Sequence, residues 1–311
     1  MSSRRKFLKQ AAIGSAGFLG LSAIPFEAFA KKEIVKLTIL HTNDVHSHID
    51  PFPDNDPKFG GLGGVARRAS LVKKIRNEEE NVLLLDAGDI FQGTPYFNLY
   101  GGELELKLMS QMGYDASTIG NHDFDNGLEG LEKMLPHAKF PLICSNYDFS
   151  NTIMKDKTIP YKIFNKDGLK IGIFGLGIEL AGLVDKKLYG ETVYMDPMQY
   201  AAKMSFLLKH ELNCDLVICL SHLGFKYNSN KISDVTLAKK SKNIDLIIGG
   251  HTHSFLDNPL VYRNSDNQEV VVSQVGWAGI RLGRIDFFFE RKKSKKSFMG
   301  TSLVVSEQGL I

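Results

Sequence analysis

The stretch IVKLTILHTNDVH, residues 34–46, decides the fold class of this chain. Its first half is mostly apolar and runs directly into the polar group His41-Thr42-Asn43-Asp44. Strands with little apolar–polar alternation are covered on both faces, which is typical of parallel sheets. A buried strand that ends in Asp, Asn and His places those side chains at the edge where α/β sheets bind ligands.

Similar apolar runs recur along the chain and alternate with helical patterns. The further runs cover residues 82–85, 142–144, 171–176, 216–220 and 246–248. The helical patterns cover residues 64–77, 103–112, 128–137, 197–212 and 233–242, and Asp196 before Pro197 fits an N-cap. This order predicts an α/β sandwich. Beyond Thr252, residues 259–263, 269–275 and 280–290 predict antiparallel strands that extend a sheet.

The composition is that of an ordinary globular protein, with 311 residues, 43% hydrophobic and 23% charged. It excludes disorder and coiled coil as the main architecture. The chain has 38 Lys and Arg against 35 Asp and Glu, but the first thirty residues hold four of the bases and one acid, which leaves 34 of each. Such a balance gives no reason to expect a nucleic acid as partner. Buried thiols, not a disulfide scaffold, are expected of Cys144, Cys214 and Cys219.

The first thirty residues are predicted to be an export signal. Arg4 and Arg5 precede Phe7 and Leu8, an apolar run over residues 11–24, and the small-x-small site Ala28-Phe29-Ala30. This arrangement resembles a twin-arginine signal with cleavage after Ala30. The run is shorter than the ~20 residues that span a bilayer, so no membrane span is expected after cleavage, with retention as an anchor the alternative. Residues 31–311 would then form one domain in the periplasm or outside the cell.

Five apolar runs are followed directly by residues that bind metals or take part in acid–base chemistry. The groups are Asp44-Val45-His46, Asp86-Ala87-Gly88-Asp89, Gly120-Asn121-His122-Asp123, Ser221-His222 and Gly249-Gly250-His251-Thr252-His253. Loops at the carboxyl ends of strands in an α/β sheet converge on one crevice. A single group of this kind is more often a solvated loop, but five together predict one metal site.

The spacing inside two of these groups indicates a site for more than one ion. In Asp44-x-His46 and His251-x-His253 the two residues lie two positions apart, so on an extended segment both side chains point to the same side. Carboxylate oxygen mixed with imidazole nitrogen suits Zn, Mn or Fe better than Ca.

This set of motifs resembles the calcineurin-like metallophosphoesterase superfamily. Within it, residues 41–44, 63–67, 121–127 and 282–286 are similar to the catalytic domain of the bacterial 5′-nucleotidase/UDP-sugar hydrolase family. The similarity covers about residues 34–290. It implies a two-sheet β-sandwich flanked by helices, a four-layer α/β/β/α fold, and a dinuclear metal centre.

The resemblance also implies a role for each motif residue. The first ion would be bound by Asp44, His46, Asp89 and His253, and the second by Asp89, Asn121, His222 and His251. Two divalent ions would activate a bridging water that attacks phosphorus. His122 would help to neutralise the leaving oxygen or a phosphoryl oxygen, and Asp125 would orient the ring of His122 and favour its charged form. Asp125 could also cap the helix that begins near Gly127.

The implied substrate is a small phosphoester, most simply a 5′-nucleotide or a related nucleotide ester. The family places its base-stacking aromatics in a second domain, and a chain that ends at Ile311 is expected to lack that domain. Three alternatives stay open: a separate protein like that domain docks over the crevice, the enzyme is a broad-specificity phosphatase, or loops 91–98, 179–190 and 225–231 read the substrate. In the last case Phe225 and Tyr227 would stack on it.

Other readings of the motifs remain. A related exported branch with the same metal motifs hydrolyses a sulfur-oxyanion ester, and the chain could also be a metal-holding subunit without catalysis. His41 and His48 are expected to pack or to support the ligands. Trp277 either reaches the rim of the crevice or anchors an aromatic contact within the sheet, and the sequence favours the sheet.

Overall fold

The computed structural model describes residues 34–290 and 296–307. The predicted export signal lies outside the described residues. So do residues 291–295 of the basic cluster 291–296, which the sequence predicts to be a solvated turn. In chain order the strands are β1 (Ile34–Thr42), β2 (Val82–Asp86), β3 (Ala116–Ser117), β4 (Tyr147–Asp148), β5 (Tyr161–Lys166), β6 (Leu169–Leu176), β7 (Val193–Tyr194), β8 (Leu216–Ser221), β9 (Leu246–Gly249), β10 (Leu260–Arg263), β11 (Glu269–Ser273), β12 (Arg281–Glu290) and β13 (Lys296–Val304).

The helices lie between the strands, as the sequence predicts. They are α1 (Val65–Glu78), α2 (Pro95–Tyr100), α3 (Glu103–Met112), α4 (Gly127–Met134), α5 (Lys186–Tyr189), α6 (Pro197–Phe206) and α7 (Asp234–Lys240). Short 3₁₀ turns cover His122–Phe124 and Leu135–His137, and α6 continues into a π-helical turn over Leu207–Glu211. Asp196 caps α6, because its Oδ1 accepts from Met198 N at 2.7 Å.

The described residues contain two main sheets. The first has the strand order β13-β12-β1-β2-β3 and the second β10-β11-β9-β8-β6-β5, while β4 and β7 form a small separate ladder. β1, β2 and β3 are parallel, as are β6, β8, β9 and β11. The carboxyl ends of these parallel strands therefore lie at one edge of each sheet.

Apolar side chains divide the fold into four layers. Residues such as Leu37, Leu83 and Ile218 fill the space between the two sheets. A second cluster joins the outer face of the first sheet to α1, α3 and α4. A third joins the outer face of the second sheet to α6 and α7, and contains the buried, unpaired Cys214 and Cys219. The predicted α/β/β/α sandwich is confirmed, and the strands buried on both faces are the apolar runs of the sequence.

One prediction about strands was wrong and another was wrong in part. Residues 142–144 form only isolated bridges, because β3 offers a partner of two residues and Pro141 has no N–H to donate. The strands after Thr252 extend the existing sheets, and β10 with β11 and β12 with β1 are antiparallel as predicted. The prediction was wrong in that β11 pairs parallel with β9, whereas β12 crosses to the first sheet. No helix in the described ranges has both the length and the apolar character needed to cross a bilayer.

Candidate metal centre

The five predicted groups meet where the carboxyl edges of the two sheets come together. Several of their residues have left-handed backbone, which is uncommon outside glycine. These are Asp44 (φ 50°), His46 (φ 51°), Asp89 (φ 55°), His251 (φ 69°) and His253 (φ 51°). The prediction that Asp44-x-His46 and His251-x-His253 are extended is therefore wrong, although their side chains still converge. Backbone strain of this kind persists where surrounding contacts fix it, and it clusters at functional sites.

Six of the predicted ligands form two groups, each with its donor atoms within 4.8 Å of one another. One group is Asp44, His46 and His253, and the other is Asp89, His222 and His251. Asn121 extends the second group, because its Oδ1 lies 2.7 Å from His251 Nδ1. All seven predicted ligands thus lie in one place.

Asp89 links the two groups through a single oxygen. Its Oδ2 lies 3.1 Å from His222 Nε2 in the second group and 3.7 Å from His46 Nε2 in the first. His222 is fully buried, and its Nε2 makes no hydrogen bond of good geometry despite this close approach. In the first group, His46 Nε2 and His253 Nε2 face each other at 3.1 Å. Imidazole nitrogens that converge on one another and on a carboxylate fit a pair of metal ions.

Two of the histidines are held by the backbone. His46 Nδ1 lies 3.1 Å from the carbonyl of Phe91, and His222 Nδ1 lies 2.7 Å from the carbonyl of Ala87. An Nδ1–H that donates to a carbonyl leaves Nε2 as the nitrogen that can bind a metal. The donor atoms of both rings are therefore fixed toward the centre by the loop after β2.

Burial and charge set the protonation of the centre. Burial alone would raise the pKa of Asp89, but the His222 ring beside it lowers that pKa below the usual value. Burial would lower the pKa of His222, and the Asp89 charge instead raises it to about 10. Burial lowers the pKa of His251 to about 4, so that ring is neutral near pH 7. Because a metal ligand must be an ionised carboxylate or a neutral imidazole, metal binding here would displace the proton of His222.

His122 and Asp125 pair at the open side of the centre. His122 Nδ1 lies 2.9 Å from Asp125 Oδ2, and the His122 ring lies 5.2 Å from that of His46. The hydrogen bond to Asp125 raises the pKa of His122 above its usual value. Asn126, rather than Asp125, occupies the N-cap position of α4. The carboxylate of Asp125 therefore bonds the His122 ring and does not cap α4.

Asp123 holds the loops of the centre together, a role that the sequence did not reveal. This buried carboxylate accepts from the backbone N–H of Asp89 (3.1 Å), Ile90 (2.9 Å), Phe91 (3.3 Å) and Gly120 (2.8 Å). These bonds tie the loop after β2 to the loop after β3. Asp123 belongs to the motif Gly-Asn-His-Asp. The spacing of that motif does not predict that the Asp123 carboxylate accepts hydrogen bonds from backbone N–H groups.

Two buried amides, also missed, hold the other loops. Gln274 Nε2 donates to the carbonyl of Gly250 at 2.6 Å, and Gln274 Oε1 accepts from Ser254 N. Asn43 Nδ2 donates to Asp44 Oδ2 at 2.6 Å, and Asn43 Oδ1 accepts from Val275 N at 2.9 Å. These bonds join the segment after β11 to both histidine-bearing loops.

Several residues singled out in the sequence are not part of the two metal groups and make other contacts. His41 is buried and bonds Ser273 Oγ at 3.0 Å. Arg284 and Asp286 of the 282–286 motif form ion pairs with each other and with Glu79 or Lys36. Tyr227 donates to the carbonyl of Leu223 at 2.8 Å, and Phe225 packs against the third apolar cluster.

The preference for a sheet position of Trp277 was wrong. Trp277 lies in the loop between β11 and β12 and stacks on His253, with ring centres 5.7 Å apart and planes 5° apart. His48 packs against the same indole at 5.1 Å. Both residues therefore line the edge of the centre.

Comparison with known proteins agrees with this geometry. Residues 37–255 match the family model of calcineurin-like phosphoesterases. The chain is 34% identical over 301 residues to a snake venom 5′-nucleotidase of Gloydius brevicauda, covering 88% of this chain and 48% of the relative. A 5′-nucleotidase precursor from Thermus thermophilus has a TM-score of 0.80 and 30% identity, over 88% of this chain and 55% of the other. The NAD nucleotidase of Haemophilus influenzae has a TM-score of 0.75 and 29% identity, over 88% and 51%. The chain thus spans about half the length of these relatives.

Proposed function

The chain belongs to the calcineurin-like phosphoesterase family, and from that premise we propose that it hydrolyses phosphomonoesters with two divalent metal ions, its substrates being 5′-nucleotides or related nucleotide esters. The observation that carries the proposal is the meeting of two metal-binding groups at Asp89 Oδ2. The names of the relatives support the nucleotide as substrate class.

Each motif residue has a place in the proposed centre. One ion would be held by Asp44, His46, Asp89 and His253, and the other by Asp89, Asn121, His222 and His251. Zn, Mn and Fe suit this mixture of carboxylate, amide oxygen and imidazole. When bound, the ions supply positive charge for the phosphoryl oxygens and lower the pKa of the attacking water. Asn121 is a neutral ligand, so it does not cancel that charge.

His122 is the proposed proton donor to the leaving oxygen. Its Nδ1 is engaged by Asp125 at 2.9 Å, which leaves Nε2 as the nitrogen that can face the substrate. Its backbone N donates to Asp89 Oδ1 at 2.8 Å, so the residue is fixed to the carboxylate shared by the two groups. Asp125 favours the charged ring from which a proton can be donated.

The test is turnover by the purified full chain with added Mn²⁺ or Zn²⁺. We expect release of p-nitrophenol from p-nitrophenyl phosphate and of phosphate from nucleoside 5′-monophosphates, and loss of both in Asp89→Asn. His210→Ala is the matched control, because His210 lies in the π-helical turn after α6 and bonds Asn243. Absence of turnover with either metal would instead support a metal-holding subunit without catalysis.

The proposal includes export through the twin-arginine route with cleavage after Ala30. It rests on the sequence pattern of residues 4–30. The double substitution of Arg4→Lys and Arg5→Lys is expected to leave the protein in the cytoplasm with its signal attached. Unchanged export of that variant would contradict the proposal.

A further inference from the structure

Five aromatic side chains form a continuous patch beside the proposed metal centre. We define the aromatic patch as His48, Phe52, Phe59, Phe255 and Trp277. Phe52 lies 5.9 Å and Phe59 6.2 Å from the Trp277 ring, and Phe59 stacks on Phe255 at 6.0 Å. Each ring is thus within contact distance of the next, as in favourable aromatic pairs.

The patch does not stabilise the interior of the fold. Its phenylalanines and its tryptophan belong to none of the three apolar clusters that hold the sheets and helices together. Phe52, Phe59 and Trp277 are half-buried, and Phe255 is exposed, with 36% of its surface accessible. A contiguous aromatic surface that remains in contact with solvent marks a binding site more often than a packing need.

The patch reaches the metal centre through Trp277. The indole covers one face of His253, whose side chain is 38% exposed and whose Nε2 lies 3.5 Å from Asp44 Oδ1. Only the His253 ring therefore separates Trp277 from a molecule bound at that centre. From Trp277 the patch continues away from His253 through Phe52 and Phe59 to Phe255.

The tryptophan is held rigidly by the loop that carries the first metal group. Ala278 N donates to the carbonyl of Asp44 at 2.8 Å, and Asn43 Nδ2 donates to the carbonyl of Gly276 at 2.6 Å. Ala278 has a left-handed backbone with φ 56°, a conformation that alanine adopts at a cost. A strained turn kept by hydrogen bonds to Asp44 and Asn43 indicates that the position of Trp277 serves the site.

We infer that the aromatic patch binds the planar base of a nucleotide, which leaves as part of the nucleoside when the P–O bond to the 5′ oxygen breaks, while the phosphate lies at the metal centre. The inference rests on the proposed function and gives this chain a substrate-reading surface of its own. A base offers a π face that can stack on these rings, whereas ribose and glycerol have no π face to stack. Arg281 lies 5.2 Å over the Phe255 ring and pairs with Asp257, and Lys58 Nζ lies 4.9 Å from the centre of the Phe59 ring, so two cations lie beside the patch.

Binding can be measured without metal or turnover, because Trp277 is the single tryptophan of the chain. In the metal-free full chain, adenosine should change the Trp277 fluorescence in a saturable manner and ribose should not. Phe255→Ala should weaken adenosine binding about tenfold, the size of one lost aromatic contact. Phe255→Tyr keeps the ring and should bind like wild type. Phe206→Ala, at an exposed phenylalanine on α6, should have no effect.

Kinetics of the metal-loaded chain separate this inference from the proposed function. Phe255→Ala should raise KM for adenosine 5′-monophosphate about tenfold and leave ribose 5-phosphate unchanged. If wild type hydrolyses neither ester, the proposed function fails. If it hydrolyses both, and Phe255→Ala alters neither or both equally, the inference alone fails. An adenosine affinity that is the same in wild type and Phe255→Ala also overturns it.

Discussion

Replacing Gln274 by leucine should loosen the loop that carries His251 and His253. The side chains have similar size, but leucine leaves Gly250 O and Ser254 N without their partner. The Thr252 hydroxyl also loses its bond to Gln274 Oε1 but keeps Ser254 Oγ as a partner. Each lost bond to a buried group costs about 1–3 kcal/mol, so the two together cost about 2–6 kcal/mol. Left-handed backbone at His251 and His253 costs roughly 1–2 kcal/mol at each residue. The hydrogen bonds of Gln274 and the backbone strain at His251 and His253 are thus of similar size. Without those bonds, the two histidines should leave the left-handed conformation.

The consequence should be weaker metal binding with the fold preserved. Groups that orient metal ligands typically contribute 10–100-fold to affinity, and we expect a loss in that range for Gln274→Leu. Competition with a chromophoric zinc chelator measures it, and far-UV circular dichroism checks the fold. Gln199→Leu is the matched control, because Gln199 is exposed on α6. A folded Gln274→Leu variant with wild-type zinc affinity would refute the reasoning.

Three further outcomes follow from named contacts. His122→Ala should keep the metal content and lower kcat by about 10²–10⁴-fold, and unchanged kcat with both ions present would remove His122 from the reaction. Burial raises the pKa of Asp234 to about 8, from about 4 in the unfolded chain, so the stability given by its proton is lost as pH rises from about 4 to 8. Urea unfolding of the metal-free chain should show that loss, on the order of a few kcal/mol, in wild type and not in Asp234→Asn; equal pH dependence would contradict it. Burial raises the pKa of Cys144 to about 11, and none of the three buried thiols should react with Ellman's reagent before unfolding.

Strands and helices could be predicted where burial dictates the residue types. β2, β8 and β9 are buried along their whole length, and the apolar runs predicted them closely. Residues 142–144 are equally apolar, yet their pairing depends on where β3 ends, which is a property of the neighbour. The crossing of β12 to the first sheet depends on the loop before it. Tertiary pairing of this kind leaves little trace in local sequence.

The candidate ligands could be predicted because the chemistry demands Asp, His and Asn at strand ends. The residues that hold them could not. Asp123 and Gln274 form hydrogen bonds with backbone groups of loops that are distant in sequence. Many polar residue types can form such bonds, so the sequence does not single these two out before the positions of the loops are known. Trp277 was misplaced for a related reason: an aromatic residue fits a sheet position or a crevice rim equally well until the turn at Ala278 is known.

The account depends on Asp89 joining two metal-binding groups into one centre. Metal analysis of the full chain, loaded with Zn²⁺ or Mn²⁺ and then desalted, tests this directly. Wild type and His122→Ala should each retain two ions per chain, and Asp89→Asn should retain fewer than one, because both groups lose the same carboxylate. A single ion in wild type, or two ions in Asp89→Asn, would contradict the shared centre.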